Sequence, residues 1–415
     1  MSEGRRGGAQ RPGFGDNRET PGQSDKTYQS DQPRAAGKNH RGPKPAEHRA
    51  NDKNSASNGD TAPGFIPRTR NSRGTYAALD LGTNNCRLLI ASTRGRDFRV
   101  VDAFSRIVRL GEGVSRTGSL SEGAMLRTIE ALRICSRKMA RRNVKRYRCI
   151  ATQACRSASN GEAFLARVKE ETGIEFEVIS PQEEAHLAVA GCTDLIDPAA
   201  RAALIFDIGG GSTEVSFLRR PSPDDRGQAK PVEIAEWFSM PNGVVSLSER
   251  WDGRDITRET YEKIVTAVME DIRKANISPD FEEIFRLGQG HLLGTSGTAT
   301  SLAGVHLELT RYRRDAVDGL WLAVSDAREI SERLRAMSFD ERGAEPCIGM
   351  ERADLVVCGC AILEALLRIW PANRIRVADR GLREGILTGL IGEDLRKQRR
   401  RKRLSKRRRK RGKSV

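Results

Sequence analysis

The chain has no run of apolar residues long enough to span a bilayer. Residues 1–30 hold no apolar core of the kind a secretory signal needs, so a cytoplasmic protein is expected. None of the eight Cys forms a CxxC pair, which removes zinc-ribbon and thioredoxin-like readings. Most lie in apolar runs and read as reduced core residues. His186, His291 and His306 have no metal-ligand spacing and read as structural or surface residues. Aromatics make up 5% of the chain, and none interleaves with the Lys/Arg-rich end, so base stacking is not a supported mode of binding there.

Charge is present in excess, but unevenly. Residues 1–74 carry 14 Lys/Arg against 8 Asp/Glu, and residues 395–415 carry 14 Lys/Arg and no acid. Of the net +17, this leaves −3 on the 320 residues between. The N-terminal 74 residues are rich in Gly, Pro, Asn, Ser and Arg and cannot bury enough surface to offset their ordering entropy. The tail Arg396–Lys413 is nearly pure Lys/Arg; it is expected to stay unfolded alone and to seek polyanions.

The body is organised around Ala203–Phe217. Ala203–Phe206 reads as a buried strand, Asp207 ends it, and Gly209, Gly210 and Gly211 follow. Three consecutive glycines weaken a strand but let bare N–H groups approach a ligand closely. Ser212 and Thr213 add hydroxyls, Glu214 a second carboxylate, and Val215–Leu218 resume the strand. These are the parts needed for a phosphate held by amides and hydroxyls with Mg2+ on carboxylates; a plain Gly-rich hairpin is the alternative.

The unit has a forerunner. Asp80-Leu-Gly82 matches Asp207-Ile-Gly209 at an offset of 127, again between two apolar strands, Tyr76–Leu79 and Cys86–Ala91. An internal repeat suggests two related halves whose turns could grip one phosphate chain. Gly294-Thr-Ser-Gly-Thr298 is a third such turn, leading into a helix through His306; it is either a set of phosphate-facing amides or a tight helix entry. Ser180 and Pro181 open a helix with Glu183 and Glu184 in its first turn, where acids suit the helix dipole or a catalytic task. Further helices are expected from Ser121, over 160–173, 259–274, 326–337 and 353–369, with strands at 98–108, 148–152, 175–179 and 374–378.

Taken in order, Ala78–Asn85, Ala151–Arg156, Ile179–Ala185, Ile205–Glu214, Gly294–Thr298 and Gly381–Gly385 resemble the motifs of bacterial exopolyphosphatase/guanosine pentaphosphate phosphatases, over about residues 75–395. The resemblance implies a two-domain α/β fold of the ribonuclease H-like, actin-like ATPase type with a cleft between the domains. It implies a domain I over 75–190, with the last helix, 380–395, packing back on it, and a domain II over 191–379. Disordered tails, 1–74 and 396–415, would flank them. It further implies Mg2+-dependent hydrolysis of a terminal phosphoanhydride, of inorganic polyphosphate or of guanosine pentaphosphate, the stringent-response nucleotide.

The residue roles carry over position by position. Glu184 falls on the family's catalytic carboxylate, and Asp80, Asp207 and Glu214 on the metal side. Gly82, Thr83, Asn84, Arg156, Gly209, Gly210, Gly211, Ser212, Ser296, Gly297 and Thr298 are the expected phosphate contacts. Three features depart from the pattern. Pro181 and Gln182 precede the glutamates where a Gly is usual, Thr83 and Asn85 stand where Ser is common, and a basic tail replaces the helical domain of longer relatives. Expected partners are the polyphosphate or pentaphosphate substrate, RNA or another polyanion at the basic tail, and a second copy of the chain. A kinase or ATPase of the same fold and a non-catalytic RNA-associated protein are the rival readings.

Overall fold

The computed structural model describes residues 74–94, 97–220 and 232–411. Residues 1–73 of the expected N-terminal tail and residues 221–231 lie outside these. Two sheets form. The first contains β1 (Thr75–Leu81), β2 (Asn85–Arg94), β3 (Asp97–Ile107), β4 (Arg146–Ala151) and β5 (Glu177–Val178), in spatial order β3-β2-β1-β4-β5. The second contains β6 (Ala202–Ile208), β7 (Thr213–Arg219), β8 (Glu233–Met240), β9 (Gly290–Thr295), β10 (Trp321–Ala323) and β11 (Arg374–Val377), in order β10-β11-β9-β6-β7-β8. In each, an antiparallel three-stranded meander is followed by two strands parallel to its first member, β4 and β5 in one and β9 and β11 in the other; β10 adds an antiparallel edge to the second. This is the ribonuclease H-like arrangement in duplicate, the actin-like ATPase architecture.

The central strands are covered on both faces, as strands with parallel partners usually are. In β1, Ala77, Leu79 and Leu81 enter one core while Tyr76 and Ala78 enter another. In β6, Leu204, Phe206 and Ile208 join one cluster, and Ala203 and Ile205 the opposite one. The period of two sorts the side chains to the two sides. The helix Leu382–Arg411 covers the second face of the first sheet through Ile386, Leu387, Leu390 and Ile391.

The 127-residue repeat is structural. Asp80 pairs with Arg87 across the first hairpin, and Asp207 with Glu214 across the second. Gly82 N–H donates to Asn85 O at 2.9 Å, and Gly209 N–H to Ser212 O at 2.9 Å, closing the same turn twice. Asp207 does not end its strand, because this pairing carries β6 one residue further.

The chain passes between the two sheets twice, once along the helix Pro181–Cys192 and once returning at Gly381. The two passages touch at glycines. A Cβ at Gly191 would fall on the carbonyl oxygen of Gly381, and one at Gly385 on that of Leu187. Only glycine permits this approach.

Two expectations need correction. The strand expected over 175–179 pairs only at Glu177 and Val178, an exposed, charged sheet edge of the short kind that discourages further pairing. The tail from Arg396, expected to be unfolded, is helical through Arg411. The packed turns 382–395 nucleate it, each further residue adds one backbone bond, and Lys and Arg are good helix formers. Among the described residues, no helix is long and apolar enough to cross a membrane.

Candidate active site

The two hairpin turns meet. A Cβ on Gly210 would crowd Thr83 and Asn84, and one on Gly211 would strike the Gln153 side chain and Thr83. The cleft beside this junction is lined by Asp80, Gly82, Thr83 and Asn84 from the first turn and by Asp207 through Ser212 from the second. The helix Pro181–Cys192 contributes Glu184. Ser180 caps that helix, its hydroxyl accepting from Glu183 N–H at 3.2 Å. The helix Ser296–His306 contributes Ser296, Gly297 and Thr298. No side chain caps that helix, so its first N–H groups stay available to an anion. Ser296 sits at φ 69, a strained conformation for a non-glycine residue, and its hydroxyl donates to Ile208 O at 2.7 Å.

Glu184 is deeply set. Its side chain is 14% exposed, and its Oε2 has no solvent contact and no hydrogen-bond partner. Arg156 Nη1 lies 3.5 Å from that oxygen. Burial pushes the carboxyl well above the usual range. The neighbouring Glu214, Asp207 and Asp80 push the same way, against the pull of Arg156. Asp80 is pushed up to about 6, chiefly by burial. Asp207 is raised by burial too, with hydroxyls of Ser296 and Thr295 partly offsetting it.

Two expected site residues, Glu214 and Arg156, are not among the residues that line the cleft but neighbour Glu184, which is. Glu214, pushed up to about 7 by burial, accepts from Ser212 at 2.7 Å and Ser239 at 2.9 Å. Arg156 donates to Ile179 O at 2.6 Å and faces Glu184, which makes it a neighbour of the carboxylate and not a wall residue. Among the described residues, no three His, Cys, Asp or Glu side chains converge as a metal set, so Asp80, Asp207 and Glu214 are not a ready-made triad.

The residues present still fit a divalent cation. Asp80 and Asp207 bring two desolvated carboxylates to one cleft, and Asn84 Oδ1 and Asn85 Oδ1 are buried acceptors without donors. Mg2+ takes one or two carboxylates and keeps waters, which could donate to such oxygens.

Arg87, Arg352 and Arg383 were not foreseen. All three line the cleft, and no hydrogen bond or ion pair within the described chain engages their guanidiniums. Burial lowers Arg383 from its ordinary value. The signal for Arg87 was in the repeat, since it occupies the register of Glu214. Arg383 sits inside the Gly381–Gly385 motif; Arg352 sits in a short 3-10 turn with no motif. Gln153, also unforeseen, accepts from the Thr83 hydroxyl at 2.9 Å.

Two buried carboxylates, an uncapped helix N-terminus and three arginines thus surround one cleft on an actin-like fold. Residues 89–393 match the family model of the Ppx/GppA phosphatase family, and the chain belongs to that family. It is 28% identical to Exopolyphosphatase 2 of Mycobacterium tuberculosis over 330 residues, 76% of this chain and 98% of that protein. It is 27% identical over 332 residues to a bifunctional 3-dehydroquinate synthase/phosphatase of Fusobacterium nucleatum, matching 46% of that longer protein. The Aquifex aeolicus PPX-GPPA enzyme superposes with a TM-score of 0.62 at 28% identity, covering 76% of this chain and 99% of that one. An exopolyphosphatase from Cytophaga hutchinsonii gives 0.68 at 25% identity, covering 77% and 98%.

Proposed function

We propose that this phosphatase hydrolyses the terminal phosphoanhydride of inorganic polyphosphate or guanosine pentaphosphate, releasing orthophosphate by attack of water. The observation that carries the reading is Glu184: a carboxylate desolvated at the cleft wall, beside the turns that would hold the phosphoryl oxygens. Burial raises its basicity toward what a general base needs near neutral pH. Glu184 takes the proton from water as oxygen attacks phosphorus, and the bond to the bridging oxygen breaks. Amides of Gly210, Gly211 and Gly297, whose N–H groups no turn bond uses, hold the phosphoryl oxygens, and Arg87, Arg352 and Arg383 offset their charge. Asp80 and Asp207 would hold Mg2+, whose charge stabilises the anhydride oxygens when bound.

The names of the mycobacterial and Cytophaga relatives support polyphosphate. The test is orthophosphate release from polyphosphate, pppGpp and ATP side by side with Mg2+. Release from polyphosphate or pppGpp at rates well above ATP supports the reading. ATP as the preferred substrate would replace it with an ATPase.

A further inference from the structure

We infer that the basic extension of the C-terminal helix is a capture surface for long polyphosphate chains, an exosite for the polymer whose end the cleft cuts. The inference rests on the polyphosphate reading and narrows it.

The helix Leu382–Arg411 starts in the cleft, where Leu382, Arg383 and Glu384 are wall residues. It leaves the first sheet at a clamp. Arg146 pairs with Glu393 at 2.8 Å and Asp394 at 2.6 Å, and the Tyr76 hydroxyl donates to Asp394 at 2.9 Å. Beyond Asp394 the sequence has no acid. Lys397 reaches back to Glu393 at 4.0 Å, while Arg399, Arg400, Arg401 and Arg403 are exposed and ion-pair with nothing among the described residues. Like charges three and four residues apart repel on a helix, so a bound polyanion would stabilise it.

Charge complementarity names the occupant. The 320 residues between the tails carry a net −3, so outside the cleft the body as a whole exerts little long-range pull on a polyanion, whereas the extension does. Residues 395–415 contain no aromatic side chain on which a base could stack, so the helix reads charge density and nothing else. At a rise of about 1.5 Å per residue, Arg396 stands about 20 Å along the axis from Arg383, and Arg411 about 40 Å. A long chain with its end in the cleft spans that interval; tripolyphosphate does not. The extension therefore acts on chain length.

The experiment is a full-length variant with Arg399, Arg400, Arg401 and Arg403 each changed to Gln, which keeps helix propensity. Its kinetics are compared with wild type on tripolyphosphate and on polyphosphate several hundred units long, across a salt series. The expected result is a KM for the long chain raised about 10-fold with kcat unchanged, a shallower salt dependence, and tripolyphosphate kinetics unmoved. An unchanged long-chain KM, or an equal loss on both substrates, overturns the proposal. So does an RNA affinity that the variant loses while long-chain KM stays put. Direct binding of labelled long-chain polyphosphate to both proteins tests capture even if neither hydrolyses it, which separates this proposal from the catalytic one.

Discussion

Arg156 Nη1 stands 3.5 Å from Glu184 Oε2, an oxygen with no hydrogen bond of its own. The guanidinium is anchored on Ile179 O at 2.6 Å, which holds it against the carboxylate. In the proposed mechanism it is a positioning and tuning cation for the base. Arg156→Gln removes the influence that lowers the Glu184 pKa, so the acid limb of kcat/KM should move to higher pH. A pH profile at saturating Mg2+ checks this; a limb that stays or moves down contradicts it.

The cleft carboxylates link stability to pH. Asp80 is raised to about 6 and Glu214 to about 7 in the folded protein. Raised carboxyl pKa values give stability that is fully present below the unfolded values, about 4, and lost as pH rises through 6 and 7. The metal-free protein should therefore melt at progressively lower temperature from pH 5 to pH 8 as far as these groups decide it. Mg2+ binds the ionised form, so its stabilisation should be larger at pH 8 than at pH 5. Asp80→Asn should reduce both effects. Differential scanning calorimetry with and without Mg2+ reads them, and a Mg2+ shift insensitive to Asp80→Asn removes Asp80 from the cation site.

Arg109 bridges the two halves beside the cleft. It makes two 2.9 Å bonds to Asp354 and one of 3.1 Å to Glu351 O, while Glu249 receives Gly113 N–H at 2.6 Å and the Ser115 hydroxyl. Asp354 lies two residues from Arg352, so the bridge sets a cleft arginine. Arg109→Gln should cost about 1–2 kcal/mol of stability by leaving Asp354 underpaired, and raise KM more than it lowers kcat. Denaturant melts and steady-state kinetics test the two parts separately.

Gly191 and Gly381 fix how the two passages between the sheets cross. Gly191→Ala forces a methyl onto a carbonyl oxygen and should destabilise by about 1–3 kcal/mol. A urea midpoint equal to wild type would show that the crossing relaxes freely.

The parts of the molecule legible in the sequence are those written in local chemistry. Asp80-Leu-Gly82 and Asp207-Ile-Gly209 announced their turns because acid and glycine between apolar strands have few other uses. Ser180 and Pro181 announced the helix that carries Glu184. Arg87 was hidden because its place depends on strand register, which no single segment states. Arg352 was hidden because a short 3-10 turn has no periodicity. Glu214 and Arg156 carry motif roles in the cleft, yet neither lines it, and their partners Ser239 and the Ile179 carbonyl are distant or silent in sequence. The helical state of the basic tail depends on the packed turns before it, a context that composition does not express.

Glu184→Gln is the most direct measurement. It keeps the shape of the side chain and removes the proton acceptor. Orthophosphate release from short polyphosphate should fall by at least about 10²-fold, with substrate and Mg2+ still bound by calorimetry. Turnover within a few-fold of wild type would contradict water activation by this carboxylate.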